Sequence, residues 1–251
     1  MNNYTYGLVS VSFRKNSPEE ILSAMKDADL SVIEWGGDIH APSDDIQRLN
    51  GLSELQKKYG ISCSSYGTYF RIGVSEKSEI YAIIKAAGIL GTDVIRLWAG
   101  NLSSKEVMGE LKERFFLECR QLSEIARDNG VKFCLECHNH TYTDDKDAAY
   151  ELINYVNSPY FKMYWQPNQF KTHDENIACA KLLSPYTANI HVFNWEGKNK
   201  YPLIEAKDIW RTYLSQFDTD KTLLLEFMPD DSIYSLKKEA DSLRIITGEQ
   251  L

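Results

Sequence analysis

The sequence predicts an α/β fold, a single closed (β/α)8 barrel, and three observations carry that prediction. Short β-branched or aromatic runs alternate with longer helical patterns from end to end, the mark of a parallel sheet whose strands are joined by helices. Eight such runs fit into 251 residues, a natural length for a barrel of this kind. The first strand-to-helix turn, FRKNSPEE, contains no glycine. That weakens the runner-up, a doubly wound open sheet, and argues against a dinucleotide or P-loop phosphate site.

The elements follow in order. TYGLVSVSF is the first strand; SPEE then supplies a Ser cap, a Pro at the first helical position and a Glu three residues after the Ser, opening the helix EEILSAMKDA. LSVIEWGG is the second strand. The helix DDIQRLNGLSELQKKYG ends on a glycine suited to a left-handed cap and leads into the third strand, ISCSSYGTYF. SEIYAIIKAAGILG and TDVIRLWAG form the next helix and strand, with Gly91 and Gly100 marking their ends. The long helix SSKEVMGELKERFFLECRQLSEIARDNG precedes the fifth strand, KFCLECH. FKMYWQ, TANIHVFNW and KTLLLEFM are the sixth, seventh and eighth strands, and DSIYSLKKEADSLRIITG is the closing helix. No linker, repeat or low-complexity segment interrupts the pattern, so residues 1–251 read as one domain.

Composition narrows the function. With 43% hydrophobic and 25% charged residues the chain reads as globular, and its net charge of -8 argues against nucleic acid, whose phosphates ask for a basic face. No run approaches the ~20 apolar residues of a membrane span, and the first residues lack the basic-then-apolar pattern of a leader. Five scattered cysteines, Cys63, Cys119, Cys134, Cys137 and Cys179, do not make a disulfide framework, so a cytoplasmic location is expected. Cys134 and Cys137 spell C-x-x-C, but strand parity sends them to opposite faces and no second pair completes a zinc site; they read as packing residues.

In a (β/α)8 barrel the chemistry gathers at the C-terminal ends of the strands. Glu34 ends the second strand, Glu136 the fifth, Gln166 the sixth, His191 the seventh and Glu226 the eighth. Parity turns them inward: Cys134, Glu136 and His138 share one face, and Glu226 shares a face with Thr222 and Leu224, while Leu223, Leu225 and Phe227 face the helices. An ionised Glu on a buried face survives only if paired, hydrogen-bonded or bound to a cation. A lone Glu at a strand end is commonly a salt-bridge partner, and a lone His a satisfied core residue. Oxygen donors and one imidazole converging from successive strands instead suit a divalent ion, Mg, Mn, Co or Zn, with positions open to substrate.

Around that point lie candidates for substrate contacts: His40, His138, Trp98 and Arg96, the last sharing its face with Val94 and Trp98. Arg14 and Arg71 with Arg96 could together hold a phosphate or carboxylate; the plainer reading pairs Arg14 and Arg71 with surface acids. Trp35 and Trp165 read by parity as packing between strand and helix.

In VIEWGGDIHAP, RLWAG, CLECH followed by TYTD, HVFNW and LLLEF, taken in that order, the chain resembles the xylose isomerase-like TIM barrels, the sugar phosphate isomerase and epimerase superfamily. The resemblance implies one divalent metal held by Glu136, Gln166, His191 and Glu226. The sequence departs from the family where many members carry an Asp on the sixth strand: Gln166 offers a neutral amide oxygen, so two carboxylates remain in the set, which weakens metal affinity and leaves the ion a stronger Lewis acid. The family's His three residues later is also absent, with Gln169 in its place.

The activity implied is an isomerase or epimerase acting on a small-molecule sugar, sugar phosphate or polyol derivative through an enediolate, with Glu136 and Glu226 as catalytic acid and base. An inosose-type dehydratase in the same site, or a sugar-binding barrel without turnover, are the alternatives. The apurinic endonuclease branch of these barrels needs more His and acidic ligands than the chain offers. A homodimer or homotetramer is in keeping with similar barrels.

Overall fold

Eight parallel strands close on themselves in the computed structural model, which describes residues 3–249; the residues at either end of the 1–251 span lie outside that description. The strands are β1 (Thr5–Val9), β2 (Val32–Gly36), β3 (Ser62–Arg71), β4 (Val94–Trp98), β5 (Lys132–Glu136), β6 (Phe161–Trp165), β7 (Thr187–Val192) and β8 (Thr222–Leu225). Each pairs with its neighbours in sequence, and β8 closes on β1 through Leu8 opposite Leu225. The predicted barrel is therefore the observed fold.

The helices outside the barrel are α1 (Pro18–Asp27), α2 (Ile46–Tyr59), α3 (Glu79–Leu90), α4 (Gly109–Asp128), α5 (Lys146–Val156), α6 (His173–Leu183), α7 (Lys207–Leu214) and α8 (Leu236–Thr247). The Ser17 hydroxyl accepts from the Glu20 N–H while the Glu20 carboxylate accepts from the Ser17 N–H, the reciprocal cap expected from SPEE. Gly60 takes up the left-handed conformation that ends α2.

Hydrophobic packing falls into two layers. Leu8, Ile33, Trp35, Leu97, Phe133, Leu135, Trp165, Leu223 and Leu225 pack outward against the helices. Val9, Val11, Cys134, Tyr164 and Leu224 fill the barrel interior. Cys134 inside and Cys137 in the outer layer bear out the opposite-face reading, and Trp35 and Trp165 are fully buried in the outer core.

Several boundaries differ from expectation. The first strand stops at Val9 and turns into a 3-10 segment over Ser10–Phe13, with Ser10 Oγ accepting from Gly36 N. The seventh stops at Val192, after which Trp195–Glu196 pairs antiparallel with Asn199–Lys200 in a small hairpin. The eighth stops at Leu225, and Phe227 adopts a left-handed conformation (φ 53°) that turns its ring onto the inner cluster instead of toward the helices. The long fourth helix begins at Gly109, six residues later than the Ser103 start, because Glu106 accepts from the Ser103 N–H in a separate turn. Among the described residues no helix is long and apolar enough to cross a membrane.

Candidate metal centre and active site

The strand ends bring five predicted polar side chains together at one mouth of the barrel. Glu34 and Glu136 close β2 and β5, His191 lies in β7, and Gln166 and Glu226 follow directly on β6 and β8. All five are buried. Donor atoms of Glu136, His191 and Glu226 lie within 4.8 Å of one another.

His191 organises the group. Its Nδ1 lies 3.3 Å from Gln166 Oε1, 3.5 Å from Glu226 Oε2 and 3.7 Å from Glu136 Oε1. Its Nε2 points the other way, 3.6 Å from Glu34 Oε2. The edge of Tyr164 meets the imidazole at 5.1 Å between centroids and fixes its tilt from inside the barrel.

Arg96 runs through the cluster. Its Nε donates to Glu34 Oε1 at 2.9 Å and its Nη1 donates to Glu136 Oε2. The register explains the fit, because Arg96 on β4 pairs with Gly67 on β3, and a side chain at position 67 would collide with the guanidinium and with Glu34. Glu34 Oε2 also accepts from Ser65 Oγ at 2.9 Å.

These contacts separate the acidities. Burial works to raise Glu136, but the Arg96 guanidinium outweighs it and holds the carboxyl down to about 2. Burial likewise opposes ionisation of Glu34, and Arg96 with His191 overcomes it, so Glu34 stays an anion well below the usual range. Glu226 is the exception: burial pushes it up to about 7, only partly countered by His191. Burial would lower His191, yet the surrounding Glu226 and Glu34 raise it to about 10.

A divalent ion fits this donor set. Donors about 2.1 Å from an ion stand about 3.0–3.5 Å apart in tetrahedral or adjacent octahedral positions. The 3.3, 3.5 and 3.7 Å separations from His191 Nδ1 to Gln166, Glu226 and Glu136 match that spacing with little adjustment. The Gln166 amide is oriented by its Nε2, which donates to Cys137 O at 3.1 Å and leaves Oε1 facing the cluster.

The remaining candidates are placed differently. His138 packs on Trp98 at 4.5 Å, its Nδ1 2.7 Å from Asn139 O, and the Arg71 guanidinium covers Trp98 at 4.3 Å. His40 is buried with Nδ1 3.1 Å from Ser10 Oγ and Nε2 3.3 Å from Asn16 O, so both ring nitrogens brace the loop after β1. The three arginines do not gather: Arg14 pairs with Asp38 and Tyr69, Arg71 donates to Gly100 O, and Arg96 is committed to two carboxylates. Ser65 and Gly67 escaped the sequence reading; the one available signal was a run of small residues in SCSSYG facing a strand that carries a buried Arg.

Between the loops after β6 and β7 and the helices α6 and α7 lies a cleft of about 780 Å³ walled by Phe170, Phe193, Trp195, Tyr201 and Trp210 together with Asn168 and Asn176; none of the five cluster residues lines it. That volume lies in the range of small-molecule sites.

Residues 22–245 match the family model described as xylose isomerase-like TIM barrel. Among curated proteins no sequence matches. Solved structures share the fold at low identity. A probable 3-DHS dehydratase, AsbF, from Bacillus anthracis superposes with a TM-score of 0.80 at 19% identity, over 95% of this chain and 98% of that one. The 3-keto-D-glucoside 4-epimerase YcjR from E. coli gives 0.72 at 12%, over 98% and 99%. A xylose isomerase-like TIM barrel protein from Mycobacterium smegmatis, in complex with magnesium, gives 0.67 at 16%, over 94% and 91%.

Proposed function

Because the chain belongs to the xylose isomerase-like TIM barrel family, we propose that it is a metal-dependent isomerase or epimerase of a sugar, sugar phosphate or polyol derivative. The observation that carries the reading is the convergence of Glu136, His191 and Glu226 donor atoms within 4.8 Å, with the Gln166 amide oxygen turned to the same point.

Glu136, Gln166, His191 and Glu226 would hold a divalent ion, which would supply Lewis-acid polarisation of a carbonyl and its neighbouring hydroxyl and so acidify the adjacent C–H. The protein's own groups do the rest. Glu226, buried at the end of β8, is the carboxylate that exchanges a proton with the substrate at a carboxyl oxygen. Glu136, kept ionised by Arg96, stands as the complementary carboxylate, so one face or one carbon gives a proton while the other receives it. Removal of the proton leaves an enediolate. Trp98 and His138 form an aromatic wall for the substrate's hydroxylated carbons.

Dehydration is the second reading, favoured by the closeness of Glu136 and Glu226: the carboxylate that takes the neighbouring proton can return it to the departing hydroxyl, which leaves as water.

Metal content of protein purified without chelator tests the proposal, beside Glu136→Gln and Glu226→Gln prepared identically. Near-stoichiometric Mn, Co, Zn or Mg that disappears in both variants, followed by solvent deuterium entering a ketose at carbon, supports it. Loss of water in place of exchange would favour the dehydratase. Metal-free wild-type protein that gains no stability from added ions would leave a sugar-binding barrel as the better description.

A further inference from the structure

We propose that Glu34, which stands outside the group of candidate metal ligands, is the positioning residue that selects the tautomer of His191 and thereby makes Nδ1 the metal-binding nitrogen. The inference rests on the metal-site reading given above and adds a residue to it.

The two nitrogens of His191 have different surroundings. Nδ1 faces Gln166, Glu226 and Glu136 at 3.3, 3.5 and 3.7 Å. Nε2 faces Glu34 Oε2 at 3.6 Å and is buried with no hydrogen-bond partner within bonding distance. A neutral imidazole carries one N–H and one lone pair. If the proton sat on Nδ1 it would occupy the place where the ion must be bound. If it sits on Nε2 the lone pair on Nδ1 is free, and among the described residues the carboxylate that faces the proton is Glu34, at 3.6 Å. Closing the gap needs a shift of a few tenths of an ångström, and a carboxylate accepting from the far nitrogen of a metal-bound histidine both fixes the ring and strengthens it as a donor.

Glu34 is built to stay in place. Arg96 Nε holds Oε1 at 2.9 Å and Ser65 Oγ holds Oε2 at 2.9 Å, on a side chain with no solvent exposure. Through its other arm the same guanidinium holds Glu136, so Arg96 ties the orienting carboxylate to a candidate ligand in one rigid piece. Gly67 leaves the room this requires.

The experiment uses the full chain labelled with 15N at histidine, titrated with zinc against a chromophoric chelator, with the His191 ring nitrogens read by long-range 1H–15N correlation. Wild-type protein is expected to bind zinc through Nδ1 with the proton on Nε2. Glu34→Gln is expected to bind zinc roughly 10–100-fold more weakly while keeping its far-UV circular dichroism, with partial rescue in Glu34→Asp. Ser65→Ala, which loosens Glu34 and leaves its charge, is expected to weaken binding by a smaller factor and serves as the deciding variant if Glu34→Gln does not fold. Zinc bound by the wild type through Nε2, or bound equally well by wild type, Glu34→Gln and Ser65→Ala, would overturn the role of Glu34 and leave the metal site standing. Wild-type protein that takes up no zinc would overturn both.

Discussion

The Nε of Arg96 donates to Oε1 of Glu34 at 2.9 Å with both side chains out of solvent, across 62 positions of sequence. With Glu136 on its other arm, this guanidinium does most to offset the burial of two carboxylates at the barrel mouth.

Removing that cation is predicted to cost more than the pair itself contributes, because two buried carboxylates lose their partner. Arg96→Met should lower stability by about 3–5 kcal/mol in chemical denaturation of the metal-free protein. Arg96→Lys keeps the charge but not the two-armed geometry and should cost less. An unchanged midpoint in Arg96→Met would mean that the clamp is not structural.

Gly67 faces the same clamp. The Cβ of Gly67→Ala would come 2.8 Å from Arg96 Nη2 and still closer to Glu34 Oε1. About 1–3 kcal/mol of destabilisation is expected, with weakened metal binding, since the strain falls on Glu34 and Arg96. Urea denaturation and metal titration of the same preparation check both parts.

Protons and metal compete for one set of donors. Glu226 is raised to about 7 and His191 to about 10, and both must deprotonate to bind an ion. Metal affinity should therefore climb steeply as pH rises to about 7 and more gently from there to about 10, roughly tenfold per pH unit for each proton displaced. Metal-free stability should move oppositely. Both groups have folded values above their ordinary 4.5 and 6.5, so their contributions are complete below those values and are lost as pH rises through about 7 and about 10. Glu136, lowered to about 2, contributes above 4.5 and fades as pH falls through its folded value. Melting curves in EDTA and in zinc should diverge as pH rises; parallel curves would contradict this account.

Gln166 sets the charge of the donor group. Gln166→Glu keeps the reach and adds a third carboxylate, so metal affinity should rise by roughly tenfold or more. The variant loses the donor to Cys137 O, and a small drop in metal-free stability should accompany the gain. Calorimetric titration of wild type and variant with one ion decides it.

Much of this was legible in the sequence. The alternation of short apolar runs with capped amphipathic helices gave the barrel, strand-end position placed Glu136, Gln166, His191 and Glu226 at the mouth, and parity turned Glu136, His191 and Glu226 inward. Parity failed at Phe227, because it holds only while the chain stays extended and the strand had ended at Leu225. It also said nothing of partners: Arg96 read as a substrate contact because Glu34 and Glu136, 62 and 40 positions away, are invisible to any local pattern.

By itself the sequence determined which residues stand at the strand ends and which way each strand turns them, since both follow from a period of two and a period of 3.6 acting within single elements. Only the tertiary structure decided that Nδ1 of His191 faces Gln166, Glu136 and Glu226 while Nε2 faces Glu34, and that one arginine serves two carboxylates. Those distances depend on how far each strand is staggered against the next, including the register shifts at Ile33/Glu34 and Met163/Tyr164, summed around a closed sheet. Stagger belongs to the whole ring of strands, and no one of them encodes it alone.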